Sequence, residues 1–284
     1  MTESTEDTDK MGAGQKGAEQ KGERIAKRMA RAGLCSRRDA ERWIADRRVS
    51  VNGTVLTSPA VVVAPGDKVV VDGKPLPDAE PARLWRYYKP SGLVTTARDE
   101  QGRTTIFERL PPSLPRVVSV GRLDLTSEGL LLLTNDGELA RHLELPATGW
   151  VRRYRVRAFG RIDQAALDRL RNGITVEGVN YGAIEATIER QQGSNVWIDM
   201  ALKEGRNREI RRVMEALGMT VNRLIRVSYG PFQLGKLDLG AVDEVPRRVL
   251  KEQLGVFLEG ETRAAKEKRQ ERNREGNADN RWKP

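Results

Sequence analysis

The stretch Gly121-Arg122-Leu123-Asp124-Leu125-Thr126-Ser127-Glu128-Gly129 runs into Leu130 to Leu133 and then into Thr134-Asn135-Asp136-Gly137. Val117-Val118-Ser119-Val120 stands just before it. Two apolar runs of strand length therefore flank a polar loop that holds an acid. An aspartate so near a buried sheet needs an adjacent cation or several N–H donors to stay ionised, and Arg122 lies two residues before it. The residues alone leave two readings open: a reactive carboxylate, or a turn aspartate hydrogen-bonded to its own backbone.

Working outward, Asp136 is placed to cap a short helix through Leu143. Upstream, Leu84 to Tyr88 reads as a strand that ends at the turn Lys89-Pro90-Ser91-Gly92. Downstream, Tyr154 to Phe159 alternates like a strand, and Asp163 can cap a helix ending near Asn172-Gly173. Val196, Ile198, Met200 and Leu202 alternate again, while Ile210, Val213, Met214 and Leu217 follow the i, i+3, i+4, i+7 rule on a helix stopped by Gly218. This mixture predicts an α+β domain rather than a regular parallel wind. Arg206, Arg208, Arg211 and Arg212 crowd the start of the last helix, where the dipole disfavours cations. An anion is expected to offset them, either RNA phosphate or a carboxylate. Tyr154 sits among Arg152, Arg153 and Arg155; it suits a site, and equally a strand position facing the core.

Of the 284 residues, 50 are basic and 40 acidic, a formal +10. The excess is uneven: residues 24 to 48 hold nine basic and three acidic side chains, too one-sided for an ordinary solvated helix face, and this favours a nucleic-acid surface. Ile25 and Met29 lie four apart on a helix stopped at Gly33, and Ser36-Arg37-Arg38-Asp39 resembles a capping box opening a second helix. Short valine-rich strands then alternate with the turns Asn52-Gly53, Pro65-Gly66-Asp67 and Asp72-Gly73. Two helices on a small sheet are expected here. Composition also excludes several classes. One cysteine, Cys35, and one histidine, His142, permit neither an internal disulfide nor a four-ligand structural zinc site. No stretch approaches the ~18 apolar residues of a membrane span, residues 1 to 23 lack the apolar core of a signal peptide, and neither common nucleotide-binding glycine loop occurs. A cytoplasmic protein is expected.

The segment Arg24-Ile-Ala-Lys-Arg-Met-Ala-Arg-Ala-Gly33, with Ser36-Arg37-Arg38 and Arg48-Val-Ser-Val-Asn-Gly53, resembles the S4 RNA-binding domain. The stretch from Gly121 to Leu139, together with Tyr88-Lys89-Pro90-x-Gly92, Arg152-x-Tyr154 and Glu204-Gly-Arg-Asn-Arg-Glu-Ile-Arg211-Arg212, resembles the ribosomal pseudouridine synthases, in the group whose A type acts on small-subunit rRNA and whose B, E and F types act on large-subunit rRNA. The likeness runs from about residue 24 to 258, and the B type is the nearest subgroup. It implies an S4 domain over 23–75, a linker over 76–83 and, over 84–260, a catalytic domain whose mixed, mainly antiparallel sheet is flanked by helices. Disordered tails are expected over 1–22 and, basic in charge, over 261–284. The implied reaction isomerises a uridine of large-subunit (23S) ribosomal RNA, free or in an assembly intermediate, to pseudouridine, with no metal and no cofactor. The competing reading is a non-catalytic S4-type assembly factor.

The resemblance also assigns roles. Asp124 matches the catalytic aspartate, Arg211 the base expected to pair with it, and Tyr154 a residue stacked on the uracil near the sugar. Ile210 would pack beneath the uracil, and Arg122 would fill the space left by the flipped nucleotide. Arg24, Lys27, Arg28, Arg31, Ser36, Arg37, Arg38, Arg48 and Asn52 are expected to face RNA from the S4 unit. Lys89, Arg206, Asn207, Arg208 and Arg212 are expected to do so from the catalytic domain. Family members commonly carry His-Pro where this chain has Leu145-Pro146, and Gly149-Trp150 fills a stretch usually polar or aliphatic, so contacts around the target loop are expected to differ.

Overall fold

The computed structural model describes residues 22–255. The two tails read above as disordered lie outside the described residues, apart from Gly22. The chain forms two compact units, with the main division between Pro77 and Asp78.

The first unit contains β1 (Glu23–Arg24), α1 (Ile25–Arg31), α2 (Arg37–Ala45), β2 (Val49–Val51), β3 (Thr54–Val55), β4 (Val62–Val63), β5 (Val69–Val71) and β6 (Lys74–Pro75). Strands pair in the order β3-β2-β5-β6, and β1 pairs separately with β4, all antiparallel. Asn52 and Gly53, at φ 52° and 85°, join β2 to β3; Asp72 and Gly73, at 49° and 75°, join β5 to β6. A two-residue hairpin turn with both central residues left-handed matches the twist of its strands, which is why Asn-Gly and Asp-Gly recur there. The Ser36 hydroxyl accepts from the Asp39 N–H, and the Asp39 carboxylate accepts from the Ser36 N–H, closing the expected capping box. Ile25, Met29, Ile44, Val49, Val63 and Val71 form the core under both helices.

The second unit contains β7 (Leu84–Lys89), β8 (Val118–Val120), β9 (Glu128–Thr134), α3 (Gly137–Glu144), β10 (Arg152–Phe159), α4 (Gln164–Asp168), β11 (Ile174–Val176), β12 (Val179–Tyr181), β13 (Ile184–Gln192), β14 (Asn195–Leu202), α5 (Glu209–Ala216), β15 (Thr220–Tyr229), β16 (Phe232–Gln233) and β17 (Val242–Glu244), then a helix over 247–255. Nine strands make one sheet in the order β13-β14-β10-β15-β9-β7-β17, with β16 beside β15 and β8 beside β9; β11 and β12 form a separate hairpin. Every pairing in the large sheet is antiparallel except β15 with β9, which is parallel. The mixed, mainly antiparallel sheet matches the expectation.

The four leucines of β9 explain its unbroken apolar run. Leu131 and Leu133 pack with Tyr87, Tyr154 and Ile210 on one face, while Leu130 and Leu132 pack with Leu139, Leu143 and Tyr229 on the other. A strand covered on both faces has no polar side to alternate with. Gly129 is required at its start: a Cβ there would lie 2.3 Å from the Arg226 carbonyl oxygen, where the parallel strand β15 comes alongside.

Candidate active site

Asp124 sits in the loop between β8 and β9, its side chain about one-third exposed. Buried donors and acceptors hold the loop from beneath. Lys89, at the end of β7, is fully buried, and its ammonium donates to the carbonyls of Ser127 (2.8 Å), Pro90 (3.0 Å) and Asp124 (3.2 Å). Burial pushes its pKa down to about 8, against the pull of the Asp124 and Glu128 charges. The Thr95 hydroxyl donates to the Leu123 carbonyl at 2.8 Å, and the Gly121 N–H donates to Glu144 of α3 at 2.8 Å. The loop is thus tied to β7, to α3 and to the segment after β7. Its backbone is fixed while the Asp124 carboxylate stays partly open to solvent.

The start of α5 supplies the opposing charge. Arg208, left-handed at φ 51°, precedes the helix and brings its guanidinium 3.9 Å from the Asp124 carboxylate. Both groups are partly exposed, so the pair contributes little to stability; its effect is a positive field at the carboxylate. Arg211, one turn further on, is half-buried and donates to the carbonyls of Thr126 and Val221, each at 3.0 Å. Its Nε is buried with no acceptor. Burial, then the Arg208 charge, lowers its pKa, and the Asp124 charge opposes the shift; a guanidinium stays cationic regardless.

Glu209 builds the turn that carries these arginines. Its carboxylate accepts from the Arg206 N–H at 2.9 Å, and its own N–H donates to the Arg206 carbonyl at 3.2 Å. The side chain is buried, the second carboxylate oxygen has no partner, and burial raises its pKa. Next along the helix, Ile210 is buried in the same apolar cluster as Leu123 and Tyr154. An acid, cations and an apolar floor therefore converge from β8–β9, α5 and β10.

A family model described as RNA pseudouridylate synthase matches residues 83–216, and one described as S4 domain matches residues 23–69. A protein of Rickettsia felis described as an uncharacterized RNA pseudouridine synthase is 45% identical over 228 residues, covering 80% of this chain and 99% of that protein. The chain belongs to the RNA pseudouridine synthase family. The synthase is also similar to proteins named ribosomal large subunit pseudouridine synthase B. That of Pasteurella multocida is 42% identical over 252 residues, covering 85% of this chain and 73% of that protein; that of Haemophilus influenzae is 42% identical, with 85% and 71% covered. A crystal structure described as a pseudouridylate synthase superposes with a TM-score of 0.58 at 24% identity, covering 81% of this chain and 98% of that one, and shows the shared fold.

Several residues of the synthase stand elsewhere than the sequence led us to expect. Arg211 does not form the ion pair expected with Asp124; among the described residues the carboxylate's ion-pair partner within 4.0 Å is Arg208. Arg211 instead spans two backbone carbonyls, that of Thr126 in the Asp124 loop and that of Val221 in β15, and so ties α5 to both. Lys89 is no RNA contact, because it is buried and all three ammonium hydrogens have internal acceptors. In the S4 unit, Arg28 holds the carbonyls of Ala64, Pro65 and Asp67, and the Asn52 amide bonds Asp67 and Lys68. Arg48 pairs with Asp72 and lies over the Trp43 ring. Ser36 is committed to its helix cap. Lys27 and Arg31 are half-buried, whereas Arg24, Arg37 and Arg38 are exposed, without a carboxylate within 4.0 Å among the described residues. Arg122 and Asn207 are exposed, Arg206 is exposed and pairs with Glu204, and Arg212 is half-buried. Trp150 packs edge-on against Tyr229 and Phe232, a structural role, while Leu145 is 42% exposed. Thr95 and Glu144 went unread in the sequence, since nothing local marks a side chain whose partner is a distant loop; Glu209, whose partner Arg206 is only three residues back, was legible only as one charge of a motif.

Proposed function

We propose that this synthase acts in the cytoplasm on one uridine of large-subunit ribosomal RNA, with Asp124 as the attacking carboxylate. The observation that carries the reading is the Asp124 loop itself: a partly exposed carboxylate on a clamped backbone, beside an arginine at 3.9 Å and next to the apolar cluster of Leu123, Tyr154 and Ile210. The similarity to large-subunit synthases of the B type supports the substrate. In the reaction the N1–C1′ bond breaks, the uracil turns, and C1′ rejoins through C5; C5 gives up a proton and N1 gains one, so the product is an isomer and no co-reactant is consumed. A carboxylate serves either as a nucleophile at C1′ or as the group that opens a glycal route. Tyr154 and Ile210 would hold the flipped base, Arg208 and Arg211 would supply the positive field, and Arg122, exposed at the edge of the loop, would fill the vacated stack.

Mapping pseudouridines in ribosomal RNA from cells with and without this protein tests the assignment. Loss of pseudouridine at a single large-subunit position is expected. An unchanged large-subunit pattern, with a site lost from small-subunit or transfer RNA, would overturn it.

A further inference from the structure

The half of the large sheet formed by β13, β14 and β10 carries a second basic feature, on the face opposite Tyr154. Burial alternates along β10, so that Arg153, Arg155, Arg157 and Phe159 share the face turned away from Tyr154, Val156 and Ala158. In register, Arg157 lies between Trp197 of β14 and Arg223 of β15, and Trp197 lies beside Arg190 of β13. One row across four strands thus reads Arg190, Trp197, Arg157, Arg223. A groove of about 400 Å³ opens there, lined by Arg157, Arg190, Gln192, Asn195 and Trp197, a volume within the usual range for a small-ligand site.

The charges along the row are not equally satisfied. Arg223 is held by Glu128 at 2.6 and 3.1 Å, and Arg155 is held by Glu189 while lying 4.9 Å over the Trp197 ring. Arg157 and Arg190 are exposed, and neither has a carboxylate within 4.0 Å among the described residues. The other acids of this face, Asp199 and Glu185, lie on its Arg155 and Arg153 side, away from the groove. Two uncompensated guanidiniums on one short row repel one another unless an anion joins them. Set around a partly exposed indole and two amides, they match phosphate pairing, base stacking and hydrogen bonding to base edges, which is the chemistry of single-stranded RNA. An acidic protein segment would use the arginines but not the indole and amides together.

We propose that this groove binds a single-stranded segment of the RNA substrate away from the catalytic centre, with phosphates on Arg157 and Arg190 and a base on the exposed part of Trp197. The proposal rests on the RNA-modifying reading of the Asp124 site and extends it to a second point of contact. The test compares full-length wild type with Arg157→Gln/Arg190→Gln and with Trp197→Leu, using an unmodified large-subunit rRNA transcript. As a control, Arg247→Gln/Arg248→Gln removes the same charge from the exposed helix over 247–255. The groove double variant should raise KM about tenfold with kcat held, and flatten the salt dependence of binding by about 0.7 per lost phosphate contact. Trp197→Leu should raise KM without altering the salt slope, and the control pair should change neither. A groove variant with wild-type KM and salt slope, or one no worse than the control, would overturn the proposal. So would uridine monophosphate binding at the groove while RNA affinity ignores the substitutions, which would mark a small-molecule site. If the wild type made no pseudouridine, the Asp124 reading would fail, and the RNA-binding arm would still decide the groove.

Discussion

Lys89 turns a residue that reads as surface charge into a buried support of the Asp124 loop. It ends a strand and precedes Pro90, the usual address of a solvent-facing lysine, yet two of its three acceptors lie 35 and 38 residues away. Lys89→Met would take this donor from the Ser127 and Pro90 carbonyls, at about 1–3 kcal/mol for each left unsatisfied, while the Asp124 carbonyl keeps the Ser127 N–H at 3.0 Å; no longer burying an ammonium offsets part of the loss. The expected outcome is a loss of about 2–4 kcal/mol in denaturant melts and a fall of about 100-fold in kcat with KM nearly held, because the Asp124 backbone is no longer fixed. Unchanged kcat would show that Thr95 and Glu144 suffice. Glu209 offers a pH signature. Burial raises its pKa above the unfolded value, so the stability tied to its proton is present below the ordinary carboxyl range and is lost as pH climbs through the raised value. Glu209→Gln keeps an acceptor for the Arg206 N–H and removes the ionisation. Its Tm should exceed that of the wild type near pH 8, with the gap closing toward pH 4; a gap that is independent of pH would contradict this.

At the scale of elements, what the sequence discloses depends on whether the signal is local. The capping box of α2, the Asp136 cap of α3, the Asn52-Gly53 hairpin and the apolar stripe of α5 are local patterns, and all stand where they were read. Strand β15 is different. Thr220–Tyr229 interleaves Asn222, Arg223 and Arg226 with apolar residues and shows no clean period. It lies mid-sheet, where the buried Arg226 guanidinium donates to the Leu130 carbonyl at 2.7 Å. A cation solvated by a neighbouring backbone is invisible until the neighbour is known. The same crossing explains Gly129, since the parallel strand approaches too closely for any Cβ. Gly129→Ala should cost about 3 kcal/mol through backbone displacement and a strained positive φ. Thermal melting checks it, and a near-neutral change would mean that β9 and β15 can part without loss.

For the whole molecule, the +10 charge has separated into roles. In the S4 unit, Arg28, Arg42 and Arg48 are engaged in internal contacts, leaving Arg24, Arg37, Arg38, Arg47, Lys68 and Lys74 as the exposed cations without a carboxylate within 4.0 Å among the described residues. In the catalytic unit, Arg208 and Arg211 serve the Asp124 loop, while Arg157 and Arg190 face outward across the sheet. The likeness of motifs pointed to Asp124, Tyr154, Ile210 and Arg211, and the fold gathers their elements. The clamp beneath the loop and the exchange of Arg208 for Arg211 as ion-pair partner depend on distances that no motif records. Every role turns on Asp124 being the reacting group and not a turn aspartate. The direct test is pseudouridine formation by purified Asp124→Asn and wild type on the same unmodified large-subunit rRNA transcript, with RNA affinity measured in parallel. The account predicts no detectable product from the variant at near wild-type affinity; appreciable turnover by Asp124→Asn would contradict it.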